Sequence, residues 1–175
     1  DRLADRLVPG IRSRMLRIRF ITAMAVGALA VQDLWDEPPS DGKTTPAIAF
    51  EWLVIEAFVR RIPPNPIPPG IPGTQKARAV TSKGQRLSAP TYLKGPSVFG
   101  FNGVYKPFAV DSGAVSGELL PAARSIELVQ AWEQEQGLEG FAAAISGTAG
   151  GRVRGQIATA VRTALRTGRC SEGVG

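Results

Sequence analysis

A chain of 175 residues with 43% hydrophobic and 21% charged side chains is long enough to bury one real core and too apolar for a disordered protein. Lys and Arg number 21 against 15 Asp and Glu, a formal charge of +6, with no histidine and a single cysteine, Cys170. That composition excludes histidine general bases, Ser-His-Asp triads, histidine-ligated metals, an internal disulfide framework and cysteine zinc knuckles, so no cofactor or metal is expected and an enzyme is disfavoured.

The chain opens on Asp1 and closes on SEGVG, which reads as a piece of a longer protein. Pro9 and Gly10 precede a helix predicted over 11–34. On it Arg17, Ile21, Met24, Ala28 and Val31 form one seam at steps of four and three, with Arg14 a turn earlier. Arg14 and Arg17 are read as overhanging the core with their heads in solvent, while Arg12 and Arg19, seven apart on the opposite face, are candidates for phosphate contact. The apolar run 20–31 falls short of the ~20 residues that span a bilayer. The basic flank before it raises a signal peptide, but the run is not leucine-rich and no cleavage site follows before Asp33. A cytoplasmic protein without membrane contact is expected.

Residues 36–45, DEPPSDGKTT, form a polar loop that ends in Thr45 and Pro46, an N-cap with proline at the first helical position. The helix that follows, to about 61, is apolar nearly all round and belongs at the centre of the domain. Its acids Glu51 and Glu56 lie about 140° apart on the helix, so they diverge and cannot form a catalytic pair. One of them is expected to meet an arginine of the first helix. The proline-rich 62–73 reads as a stiff connector with polyproline II character, and an SH3-type ligand is the alternative.

Residues 57–110 contain no Asp or Glu, yet carry Arg60, Arg61, Lys76, Arg78, Lys83, Arg86, Lys94 and Lys106. An unrelieved positive segment attracts phosphates and releases their counterions, and it is the main ground for reading a nucleic-acid binder. Three short helices are predicted in it: 74–82 capped by Thr74, one from about 89 capped by Ser88 and ending before Gly95, and 97–111 capped by Ser97 with Pro107 as a kink. Tyr92, Phe99, Phe101, Tyr105 and Phe108 alternate there with Lys94, Asn102 and Lys106. Either one face packs while the polar groups reach outward, or the segment is core with solvated lysines; Tyr92 and Phe99 are assigned to the core, and their exposure would instead point to single-stranded nucleic acid or RNA.

Residues 114–120, AVSGELL, are predicted as a small wing hairpin. A helix over 122–136 is expected to pack Ile126, Leu128, Val129, Ala131 and Trp132 and to expose Glu127, Glu133 and Glu135, an acidic face for a protein partner or the chain's own arginines. Residues 140–155 are rich in small residues, and GTAGG lacks the spacing of a phosphate loop. From 156 a helix turns Ile157, Ala160, Val161, Ala164 and Leu165 inward and stacks Arg162, Arg166 and Arg169 on its other side, a second basic stripe. Residues 1–139 are taken as one helical domain and 140–175 as an appended segment.

The order of an apolar helix after LVPGIRSRMLRIRF, a buried EWLVIEAFVR helix, IPGTQKARA, then TYLKGPSVFGFNGVYKPFA with GELLPAARSIELVQAW, over 7–140, resembles small accessory proteins of bacterial anti-phage defence islands. The resemblance is to those with a winged-helix-like DNA-binding core. It implies a non-catalytic subunit that contacts DNA or assembles a defence complex, with SVFGFNGVYKPF as the recognition element.

The expected protein is therefore mainly α-helical, with a winged-helix-like core and a small β wing, and binds duplex DNA through phosphates. Arg78, Lys83, Arg86 and Lys94, with Lys76, would position the backbone; Asn102 and Lys106 would reach base edges; Arg162, Arg166 and Arg169 would extend the track. The alternatives are a single-stranded nucleic acid or RNA binder and a scaffold subunit whose apolar and acidic helices dock protein partners.

Overall fold

The computed structural model describes residues 15–60, 67 and 69–171, without the side chains of residues 97, 98 and 102. Arg12, Arg14, Arg61 and half of the proline-rich connector lie outside the described residues. Helix α1 (Arg19–Val31) continues as a 3-10 turn to Leu34, and α2 spans Pro46–Arg60. Then come α3 (Thr74–Thr81), the short α4 (Pro96–Phe99), α5 (Phe101–Val104) and α6 (Lys106–Asp111), α7 (Ser125–Gln136) and α8 (Ala149–Thr167). The protein is mainly α, and among the described residues there is no β-strand.

Helix α1 runs through the middle and packs against α2, α6, α7 and α8. Its residues from Met24 to Val31 are all buried, so beyond the expected seam it is enclosed on every side. Short side chains allow this: a Cβ at Gly27 would run into the Phe50 ring of α2. Arg17 is exposed and overhangs the core as read from the sequence. The central apolar α2 is also as expected, with Trp52 and Ile55 wholly buried. Thr45 caps it, accepting a hydrogen bond from the Ile48 N–H at 3.3 Å. Helix α8 packs on α1 and α2, so the C-terminal helix shares the core of the N-terminal ones.

Four expectations are corrected. Phe99, assigned to the core, is 53% exposed, whereas Tyr92 is buried as expected. The helix expected from Ser88 is a single turn, held by Tyr92 N donating to the Ser88 carbonyl at 2.8 Å. Its neighbour Leu87 is tied instead to other elements: Leu87 N donates to Glu56 Oε1 and Cys170 N donates to the Leu87 carbonyl, both at 2.6 Å. The expected recognition helix 97–111 is broken at Gly100, which is extended at φ −90° and ψ −165°, and again at Tyr105. The Glu51 carboxylate lies against Gly100 where a Cβ would be, so this break answers to a tertiary contact. The wing is absent among the described residues. Val115 and Pro121 form one isolated bridge around a turn whose Ser116 Oγ accepts from Glu118 N and Leu120 N, each at 3.2 Å.

Two smaller differences concern helix ends and faces. Helix α7 exposes Ile126 and Ala131 and buries Val129, and its half-buried Trp132 meets Phe141 edge to face at 5.0 Å. Helix α8 begins seven residues before the expected start, because GTAGG is its first turn: Thr148 Oγ1 accepts from Gly151 N at 3.0 Å.

Candidate nucleic-acid interface

Which cations are available to a partner depends on which of them internal acids hold. Glu56, buried on α2, accepts from Arg60 Nε at 2.6 Å and from Arg86 at 3.0 Å. The Arg60 guanidinium also donates to the Gln85 carbonyl at 2.5 Å, clamping residues 85–87 onto α2. Arg86, expected on the phosphate face, is thus a half-buried tie of the fold. Arg19 pairs with Glu135 of the acidic α7, and Arg162 pairs with Glu37 at 2.6 Å.

The remaining expected cations stand differently. Lys76 and Arg78 on α3, Lys83 just after it, Lys94, and Arg166 and Arg169 at the end of α8 are exposed, and none forms an ion pair among the described residues. Lys106 is half-buried. The side chain of Asn102, like all of Arg12, lies outside the described residues.

Backbone hydrogen bonds draw part of this set together. Ser40 N donates to the Leu165 carbonyl at 2.8 Å, which fixes the 36–45 loop to the end of α8. Ser88 and Arg169 form an antiparallel bridge, which fixes the 88–92 turn to the residues that follow α8. Lys43, Lys94, Arg166 and Arg169 therefore rise from segments stitched to one another, although they are far apart in sequence. Lys43 escaped the sequence reading because it stands alone beside Asp41 in a polar loop; the nearby Thr45-Pro46 helix start was the signal that this loop sits at a helix N-terminus.

Between the 36–45 loop, the first turns of α2 and the 88–96 segment lies a groove with a cavity volume of about 530 Å3. Lys43 and Lys94 stand on its sides, Pro90, Leu93 and Ile48 supply apolar wall, and the fully buried Trp52 forms its floor. Asp41 is the one acid among the lining residues. Its oxygens accept from Lys43 N, Thr44 N and Thr44 Oγ1 at 3.0, 2.9 and 2.6 Å. Burial opposes its charge, but the hydrogen bonds from Thr44 and Lys43 prevail and hold its carboxyl below the usual range. The Trp52 indole N–H has no hydrogen-bond acceptor among the described residues.

Beside the groove, Tyr92 Oη donates to Glu51 Oε1 at 2.5 Å. Burial pushes the Glu51 carboxyl up to about 7, against the lowering effect of the Tyr92 and Phe101 hydrogen bonds. Burial and the neighbouring Glu51 raise the Tyr92 phenol as well. This pair is enclosed: a Cβ at Gly100 would strike Glu51, and one at Gly73 would stand 2.5 Å from Tyr92 Oη. It joins α2 to the 88–96 segment and so holds one wall of the groove.

A second, apolar groove of about 400 Å3 runs between α1, α2, α7 and α8, lined by Val26, Val54, Trp132 and Ile157 and edged by the Arg19–Glu135 pair. Among the described residues no His, Cys, Asp and Glu cluster is placed to hold a metal ion, and no helix is long and apolar enough to cross a membrane. No protein-family model, curated protein or solved structure matches the chain.

Proposed function

We propose that the chain is a non-catalytic nucleic-acid-binding subunit that holds duplex DNA through phosphate contacts. The observation that carries this reading is the division of its cations. The buried Glu56 engages Arg60 and Arg86, and Arg19 and Arg162 form surface ion pairs, while Lys76, Arg78, Lys83, Lys94, Arg166 and Arg169 are exposed with no ion pair among the described residues. Exposed unpaired cations on a chain of net charge +6 favour a polyanion by counterion release.

The mode of contact differs from the one implied by a winged helix. With the 97–111 segment broken into single turns and no wing strands, groove insertion of a recognition helix loses its element, and backbone contact becomes the whole of the reading. Helix α3 presents Lys76 and Arg78, followed by Lys83, while Ala77 and Val80 anchor it to the core. A role as an accessory subunit in anti-phage defence agrees with the resemblance of residues 7–140 and with a chain that binds DNA without reading base edges closely.

The test is fluorescence anisotropy of labelled duplex DNA, single-stranded DNA and RNA with the purified chain, from low to physiological salt. Duplex binding with a steep salt dependence is expected. Replacing Lys76, Arg78 and Lys83 together by Ala should lower the slope of log K against log salt by about 2 to 3. Absence of binding to all three ligands at low salt would overturn the reading. The second reading, a scaffold subunit, is favoured by the apolar groove between α1, α2, α7 and α8. It requires a protein association that is insensitive to salt and that Trp132→Ala or Ile157→Asp weakens.

A further inference from the structure

We infer that the groove between the 36–45 loop, the start of α2 and the 88–96 segment takes a single nucleotide unit, its phosphate at Lys43 and Lys94 and its base against Pro90 and Leu93. The choice of a nucleotide among phosphorylated planar ligands rests on the nucleic-acid reading above. The groove itself rests on independent observations.

The first is its dimensions. A volume of about 530 Å3 lies within the roughly 300–1,000 Å3 of small-molecule sites, and its walls are mainly apolar with few polar groups. Pro90, Leu93 and Ile48 offer surfaces against which a flat base can lie. The second is charge. Lys43 and Lys94 are both exposed and neither forms an ion pair among the described residues, so an anion between them displaces no internal partner. The site also lies at the start of the 15-residue α2, where the helix dipole favours negative charge. Arg166 and Arg169 follow on the segments stitched to this loop and continue the positive field outward.

The third observation is the apolar wall: inorganic phosphate alone would leave Pro90, Leu93 and Ile48 uncovered, whereas a base covers them. Asp41, kept ionised by hydrogen bonds from Lys43 and Thr44, is the one negative charge in the lining, and the two lysines outnumber it.

One chemistry has two sources here, a free mononucleotide and an unpaired nucleotide at the end of a strand, and the experiment separates them. The full chain is titrated with dAMP, with deoxyadenosine, with inorganic phosphate, with a blunt duplex and with the same duplex carrying one unpaired 5′-phosphorylated nucleotide. Binding is read by calorimetry and by the indole N–H resonance of Trp52, assigned through Trp52→Phe. The expected result is saturable dAMP binding that moves the Trp52 resonance, weakened about tenfold by Lys43→Ala and again by Lys94→Ala, and lost in Ala89→Trp, which fills the groove from an exposed position. Tighter binding of the overhang than of the blunt duplex identifies a strand end as the source; equal binding of the two, with dAMP bound, identifies the free nucleotide.

The inference is overturned if dAMP does not bind, if deoxyadenosine or phosphate binds as well as dAMP, or if Ala89→Trp changes nothing. Should duplex binding persist and respond to Lys76, Arg78 and Lys83 while the groove variants leave every ligand unaffected, the groove alone is wrong. Should dAMP bind as expected and no strand bind at low salt, the nucleic-acid reading falls and the groove stands as a mononucleotide site.

Discussion

Glu51 shows at the scale of one residue how a buried charge is handled. Its carboxyl is raised from 4.5 to about 7, first by burial, and the Tyr92 hydroxyl faces it at 2.5 Å. Between those two values the unfolded chain releases a proton that the folded chain keeps, so stability falls as pH rises through the window and levels off above about 7. The difference corresponds to about 3 kcal/mol. Glu51→Gln keeps an acceptor for Tyr92 and removes the titration. Urea denaturation of both proteins at pH 5 and pH 8 should show the variant gaining about 2–3 kcal/mol relative to the parent between the two; parallel behaviour would refute the assignment. Cys170, 3% exposed, is another perturbed residue. Burial, followed by the charge of Glu56, pushes its thiol up to about 12. It should react with a disulfide reagent at neutral pH only as fast as the chain unfolds, and a fast burst in the native protein would contradict this.

At the scale of the element, what was legible in the sequence is what local chemistry decides. Thr45-Pro46 gave the start of α2 to the residue, and the apolar run of α1 was visible because nothing polar interrupts it. The breaks in 97–111 were not legible, since Gly100 bends where Glu51, distant in sequence, lies against it. The start of α8 was missed for a related reason: glycines weigh against a helix in isolation, but here they admit a close neighbour. A Cβ at Gly150 would strike the Leu138 carbonyl and Phe141 N, whereas at Gly155 it would meet nothing. Arg154 then closes the same loop by donating to the Phe141 and Ala142 carbonyls at 3.0 and 2.7 Å. Gly150→Ala should therefore destabilise by about 2 kcal/mol or more, and Gly155→Ala should stabilise by about 0.5–1 kcal/mol. Equal urea midpoints for the two would refute the close packing at the helix start.

Over the whole molecule, the surplus of positive charge divides into a part that holds the fold and a part that faces outward, and this division is what sequence alone could not supply. The run 57–110 looked uniform because its own segment contains no acid. The acids that engage Arg60 and Arg86 come from α2, where Glu56 precedes the run by one residue and reaches Arg86 only through the fold. Neighbouring cations should thus behave in opposite ways. Arg86→Ala leaves Glu56 with one guanidinium fewer in a buried place and should cost about 1–3 kcal/mol of stability. Lys83→Ala, three residues earlier and exposed, should change stability by less than about 0.5 kcal/mol, yet weaken duplex DNA binding. The check is thermal unfolding with and without duplex DNA. DNA at about a hundred times its dissociation constant should stabilise the parent by about 2.7 kcal/mol. The Lys76, Arg78 and Lys83 triple variant should melt with the free parent and lose much of the shift. The Arg86 variant, melting lower without DNA, should keep the shift in full, because the residue it lacks faces inward. A triple variant that melts low, or an Arg86 variant that loses the DNA shift, would show that the cations had been sorted wrongly.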